Sequence, residues 1–528
     1  MVTKSLKRWT KKRSPAGKVE GNFSFYFDVV NQYWAGGASE QRAAPLNRIC
    51  TLARKMGVSA VLIEDALDRK EVQREIELLR KNSSTGGTVT AVAISFLRAL
   101  PSAEQAERPP DDVNMIGQVV VLTYPAPNGP KSYVFDAIMR VPARWEQGQE
   151  VSLVNRCVPK AQTFQRTAGG RRYNVAGAYY CQENGVSRGN VQAALRIAIR
   201  SIEGSSSVAD DKLSKAVRNK SIVDVIAKTL KNRGYGSNFY VIDKNVDDVW
   251  TAICSFIESG NPPLLVVSGR GNQDRIIPIL GYTINTDEWH PGGSMPQSKD
   301  QASFFSSSQW IDHVIIHDTE LGPYFCMSRA WLAQELGRGP KSRIKPRLVI
   351  APIWTKQVNV SPVYAEQLAG ASLGFWVRRI AQVNAGTGRW WDYLSQNGSH
   401  AVLRTTLISS QDYQSHLQKL DDKIQSSEPV PTWITPGEGR AESFDSFMRS
   451  LPDNFWICEI SLPQLYGGNR KKLGEILLDP RNQSLAEAIL AIRLPSRAVW
   501  RVDRGYRLAP TGMQAHGELL EASALTVS

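Results

Sequence analysis

Apolar residues recur every three or four positions in three stretches between residues 188 and 258. In "GNVQAALRIAIRSI", Val191, Ala194, Leu195, Ala198, Ile199 and Ile202 line one side of a helix. "SIVDVIAKTLKNRGYG" repeats the period, with Ser221 and Asp224 as a capping-box-like start and Gly234 near its stop. "VDDVWTAICSFIESGNPP" sets Val246, Val249, Trp250, Ile253, Phe256 and Ile257 on one face. The short apolar runs "LLVVSG", "RIIPILGYTI" and "IDHVIIHD" then read as strands. Helices first and strands second predict a segregated α+β arrangement, not alternating βαβ units.

The flanking regions mix both periods. "NFSFYFDVVNQYW" is aromatic and β-prone, "LNRICTLARKMG" has helical spacing ending at Gly57, and "RKEVQREIELLRKN" is an amphipathic helix between the apolar runs "SAVLIEDAL" and "TVTAVAISFLRAL". Two β runs in "GQVVVLTYPAPNGPKSYVFDAIMRVP" surround a turn at Pro125 to Pro130, a hairpin signal. Residues 21–155 thus form an α/β N-terminal region, and residues 156–345 a middle domain. The C-terminal α/β region, 346–528, opens with "RLVIAPIW" and is interrupted at residues 426–440 by "SSEPVPTWITPGEGR". The strand-like pieces "AVLRTTLISS" and "FWICEISLP" flank this break, and "LAEAILAIRLP" is expected to end the ordered part. The chain contains no internal repeat.

Composition adds bounds. A chain of 528 residues, 42% of them hydrophobic, accommodates about three domains at roughly 150 residues each. Its apolar runs are too short for a membrane helix, and its start lacks the apolar core of a signal peptide. The six cysteines lie far apart, without a C-x-x-C pair, so neither a disulfide framework nor a zinc cluster is written here, and a cytoplasmic location is expected. The formal charge is +14, concentrated locally in "KSLKRWTKKR". Residues 1–20 read as a solvated basic tail, with nucleic acid as a possible partner of that arm.

The middle domain resembles the papain-like cysteine peptidases, in particular the bacterial bacteriocin-processing type. The resemblance rests on Gln182 in "YYCQENGVSRGN", the buried helix after Arg188, the helix–turn–strand "IESGNPPLLVVS", the strand "RIIPILGY" and the strand "VIIHDTELGPY", over roughly residues 156–345. It implies a glutamine that donates to an oxyanion, a thiolate activated at a helix N-terminus, a histidine base and an orienting aspartate. Gln182 and Asp318 fill two of these positions. Arg188 stands at the position of the cysteine and Arg275 at that of the histidine, and a guanidinium has no lone pair to serve either role. The resemblance therefore implies a non-catalytic domain that recognises a protein or peptide in a degenerate cleft. Two arginines facing Asp318 would make an anion-binding notch from Arg188 and Arg275.

Other candidates are weighed beside these. Cys181 with His290, His313 or His317 is the alternative register for an active cysteine peptidase. Ser187 reads as the N-cap of the helix that follows it. His313 and His317 lie four apart on a β-rich run and should share a side, a spacing open to metal binding, but no third ligand motif stands near. No metal or cofactor is expected. Arg389 beside Trp390 and Trp391 is a combination able to stack on bases. "YGGNRKKLGE" places Arg470, Lys471 and Lys472 after a Gly-Gly turn without the spacing of a phosphate loop.

Overall fold

The computed structural model of the chain describes residues 16–18, 32–35, 40–82, 87–100, 114–141, 143–146, 149–152, 156–157, 162–204, 221–242, 245–269, 274–284, 304–339, 342, 344–353, 358–373, 401–419, 444–463, 465–495, 497–502, 505–510 and 517–520. Helices and strands are mixed in an α+β composition. The chain divides into two units, the first comprising residues 1–229, 264–281 and 315–327, the second residues 230–263, 282–314 and 328–528. The basic tail apart from Ala16–Lys18, which form a strand and not a solvated tail, the aromatic run up to Asn31, His290, Arg389, Trp390, Trp391 and the break at 426–440 lie outside the described residues.

In the first unit, strands β1 (Ala16–Lys18), β2 (Ala60–Asp65), β3 (Thr90–Leu97), β4 (Met115–Tyr124), β5 (Lys131–Arg140), β6 (Gln162–Ala168) and β7 (Arg171–Tyr180) form one sheet in the order β1-β2-β3-β4-β5-β7-β6. Every pairing in it is antiparallel. Strands β4 and β5 are the expected hairpin, closing with Tyr124 opposite Lys131. Strand β4 is apolar on both faces because both are covered. Val119 and Val121 share a core with Leu46, Ile49 and Ala53 of helix α1 (Glu40–Lys55), whereas Val120 and Leu122 share one with Val72, Ile76 and Leu79 of helix α2 (Lys70–Asn82).

Strand β7 pairs with β5, Tyr180 opposite Ala137, so residues on both sides of position 155 belong to one sheet. The two strands lie so close at Gly177 that a Cβ there would overlap the Met139 carbonyl. Helix α3 (Asn190–Glu203) follows β7, and its Ala193 and Ile197 enter the α1-side core. Residues 264–281 and 315–327 bring strands Leu264–Ser268, Asp274–Ile284, Ile311–Asp318 and Gly322–Ser328, neighbours in that order. After the turn at 319–321 the backbone is forced into the left-handed region, Gly322 at φ 126° and Tyr324 at φ 58°.

In the second unit, strand Gly236–Val241, which the sequence pattern did not single out, pairs antiparallel with Lys345–Ile353. Helix Val246–Glu258 is the expected third helix, capped by the Asn245 side chain, which accepts from the Asp247 amide. A seven-stranded sheet runs in the order 304–306, 401–409, 454–461, 474–478, 489–494, 497–502 and 505–510. The two pieces flanking the Pro/Gly-rich break are adjacent antiparallel strands, Arg404 opposite Glu459. The ordered part does not end with "LAEAILAIRLP": strands Arg497–Val502 and Gly505–Pro510 continue the sheet as an antiparallel pair, and Gly517–Glu518 pairs with Lys471–Lys472. These late strands are short and rich in arginine, which hid their β character.

That sheet carries a row of buried charge. Arg404, Glu459, Glu475 and Arg493 stand opposite one another on four adjacent strands, all at most 2% exposed. Arg404 pairs with Glu459 at 2.5 Å and with Glu258, and Lys472 bridges Glu459 and Glu475 at 2.8 Å each. Arg493 holds Glu475 at 2.6 Å. By strand alternation this row shares a face with the core residues Phe455, Ile457, Leu477 and Ala491. Burial pushes Glu459 and Glu475 up, but their cationic partners outweigh it and hold both well below the ordinary carboxylate range, Glu459 at about 2. Among the described residues, no helix is long and apolar enough to cross a membrane.

Candidate functional site

The loop from Cys181 to Gly189, between β7 and α3, gathers most of the first unit's unusual chemistry. Gln182 extends the β5–β7 ladder: its amide donates to the Val134 carbonyl at 2.9 Å and its Oε1 accepts from the Val134 amide at 3.0 Å. Asn184 then turns the chain, its Oδ1 accepting from the amides of Val186, Ser187 and Arg188 at 2.9–3.0 Å. Gly185 takes the left-handed conformation the turn needs, at φ 72°.

This turn sends Arg188 away from the expected notch. Its guanidinium pairs with Glu75 of α2 at 3.2 Å and donates to the Phe135 carbonyl at 3.1 Å, with 5% of the residue exposed. Glu75 also accepts from Tyr133 at 2.8 Å and from Ser187 at 2.5 Å. Ser187 is therefore not the helix cap; Gly189 occupies that position, its amide bound by the Gln192 side chain at 3.0 Å. Burial raises the Glu75 pKa, yet Arg188 and these hydrogen bonds overcome it and keep the carboxyl ionised. The meeting of two guanidiniums on Asp318 is not found, because a buried carboxylate nearer to hand claims Arg188.

Arg275 does reach Asp318, at 3.4 Å, and Glu320 at 3.1 Å. Asp318 in turn accepts from the amides of Glu320 and Leu321 at 2.8 and 2.9 Å, which shapes the turn after its strand. The residue at the head of α3 that faces the Arg275 strand is Asn190, two positions beyond Arg188. Its Oδ1 accepts from the Ile276 amide at 2.6 Å, and its Nδ2 donates to Thr319 Oγ1 at 2.8 Å and to the Ile276 carbonyl at 3.3 Å. Counting six positions from Gln182 pointed at Arg188; the Asn184 turn takes up two more residues before the helix begins.

Glu183 and Glu320 complete the cluster. Burial, then the Glu320 carboxyl and its hydrogen bond, push Glu183 up to about 7 against the opposing pull of Arg275. The two carboxyls line one side of a cavity of about 560 Å³ with Trp34, Tyr124, Gln182, Asn184 and Leu321.

Of the histidine and thiol candidates, Cys181 and His317 are in the interior and His313 is at the surface. Cys181 is fully buried, and its thiol donates to the Ala193 carbonyl at 3.6 Å. His313 is exposed, whereas His317 is fully buried. His317 lies edge-on to Tyr180 and Tyr324, at ring distances of 5.8 and 4.9 Å. Neither of its ring nitrogens makes a well-formed hydrogen bond among the described residues, and burial holds its pKa down to about 3, offset only slightly by the nearby Tyr179 main chain. No three His, Cys, Asp or Glu side chains group as metal ligands among the described residues.

Glu75, Asn190, Glu183 and Glu320 were not singled out from the sequence. Only Glu75 carried a readable signal, a carboxylate on the stripe of Val72, Ile76 and Leu79 that α2 buries. No protein-family model matches the chain, and neither does any curated protein or solved structure.

Proposed function

We propose that residues 156–345 are a non-catalytic relative of the papain-like peptidases and that the protein works as a binding component, recognising a protein or peptide segment in the cavity beside Gln182 and Glu183. One observation carries this reading: the side chain facing the Arg275 strand from the head of α3 is Asn190, locked by three hydrogen bonds. A carboxamide there and a guanidinium opposite supply neither nucleophile nor base. The Cys181 thiol is fully buried and donates to the Ala193 carbonyl, so it lacks the solvent access of a reactive cysteine. Aromatic and polar groups around an open cavity suit an extended peptide.

The test is a peptide-library screen on the intact protein, followed by affinity measurement with Trp34→Ala and Gln182→Ala. Retained peptides that neither variant holds as well support the reading. A library that yields no binder, or peptides returned cleaved with Cys181-dependent kinetics, overturns it.

A further inference from the structure

In the second unit, Trp310 and Tyr466 are each 1% exposed and pack edge to face, ring centroids 5.2 Å apart, in a cluster with Phe305, Val402 and Leu519. Arg470 lies over the Tyr466 ring, its guanidinium carbon 4.6 Å from the centroid. Three polar atoms here, Trp310 Nε1, Tyr466 Oη and Arg470 Nη1, are buried without a well-formed hydrogen bond among the described residues, although the Arg470 guanidinium lies close enough to interact with the Tyr466 oxygen. An indole and a guanidinium can only donate, and a phenol donates readily, so the group missing from this place is an acceptor. Leaving such donors dry and unpaired costs about 1–3 kcal/mol each.

The charges point the same way. Glu258 is the carboxylate nearest Arg470, at 4.0 Å, and it is already held by Arg404 and by the Tyr282 hydroxyl. Glu459 is likewise taken by Arg404 and Lys472. Arg470 is thus a cation at the end of an ion row whose adjacent anions are engaged, with 30% of its side chain open to solvent. It also stands in the left-handed region at φ 53°, a conformation that disfavours an arginine unless its side chain is used.

We propose that Trp310, Tyr466 and Arg470 form a binding site for a carboxylate, entering past Arg470 and accepting from the guanidinium, the phenol and the indole. One excess positive charge and a planar fork suit a monoanionic carboxylate better than a dianionic phosphate. The site is independent of the cavity in the first unit.

The experiment follows the indole N–H resonances of the intact protein labelled with 15N-tryptophan, the Trp310 signal being assigned by its loss in Trp310→Phe. Acetate, a blocked peptide with a single glutamate, and inorganic phosphate are added at constant ionic strength against a chloride control. The expected result is a saturable shift of the Trp310 signal by a carboxylate. A response to acetate means that a free acid suffices, and a response to the peptide alone means that the carboxylate is carried on a polypeptide. Arg470→Gln should weaken binding roughly tenfold or more, and Tyr466→Phe roughly two- to tenfold. Phosphate binding more tightly than acetate and peptide, no response beyond that of chloride, or a response that survives both variants unchanged overturns the proposal.

Discussion

The hydroxyl of Tyr324 donates to the carbonyl of Met139 at 3.0 Å, and the same oxygen accepts from the Ala178 amide at 3.2 Å. Ala178 and Met139 are opposite residues of β7 and β5, so a phenol splices two strands that pair directly on either side. The residue that does this sits at φ 58°, and Arg48 of α1 caps the Pro323 and Tyr324 carbonyls beside it.

Tyr324→Phe leaves a buried amide and carbonyl facing a ring edge. The expected loss is about 1–3 kcal/mol of unfolding free energy. Urea denaturation followed by circular dichroism measures it. A change within error of zero means that the strands close over the gap unaided.

Arg188 and Asp318 should respond very differently to mutation. Arg188→Ala strands the buried Glu75 carboxylate and is expected to cost about 3–5 kcal/mol, with Glu75→Gln recovering part of it in the double variant. The partner of Asp318, Arg275, is 38% exposed, and an asparagine can still accept from the Glu320 and Leu321 amides. Asp318→Asn should therefore cost under about 1 kcal/mol. Equal losses at the two positions contradict this ranking.

His317 predicts acid sensitivity. Its folded pKa, about 3, lies below the ordinary value of 6.5, so the neutral ring is bound by the fold and the charged ring is not. Its contribution is complete above about pH 7 and is lost progressively as pH falls toward 3, reaching about 2 kcal/mol at pH 5. Glu183 acts in the opposite sense: its pKa is raised, so the stability it lends is present below the ordinary carboxylate value and lost as pH rises through about 7. In urea midpoints between pH 7 and 5, His317→Phe should flatten the acid limb. A slope as steep as the parent's assigns the sensitivity to other groups.

Asn190→Cys combined with Arg275→His places a thiol at the head of α3 and an imidazole on the strand opposite. Alkylation by iodoacetamide at pH 6 is expected to be several-fold faster at the new thiol than at Cys326, the exposed cysteine among those described. The same substitution at Arg188 should give a slow, buried thiol. Faster labelling at position 188 than at 190 reverses the register drawn from the Asn190 contacts.

The elements that were legible in the sequence are those whose period is decided by burial on one side: α2, α3, the helix Val246–Glu258 and the β4–β5 hairpin. The extent of the first sheet was not legible. Strand β7 joins β5 through Gly177 and the Tyr324 hydroxyl, and neither long-range contact leaves a local pattern. In the site, Arg275 and Asp318 were legible because they sit on strands, and Gln182 because it follows β7 and extends its ladder. The partner of Arg188 was missed because Glu75 lies 113 positions away, and Asn190 because a side chain, Asn184, sets the length of the turn before it.

The buried ion row also sets an order of events in time. Leu520 supplies its amide to Glu459 at 2.7 Å and its carbonyl to Arg404 at 2.7 Å, across sequence separations of 61 and 116 residues. During N-to-C synthesis Arg404 and Glu459 emerge long before that segment exists, so until it arrives their half-made pair must stay wet. The strands around it can meet but cannot dry. The last step of closing this unit is then a long-range docking of 517–520, a slow event by loop-closure entropy, and the nascent sheet waits for it with its charges still in water, a state that chaperones would meet as an open, uncapped edge.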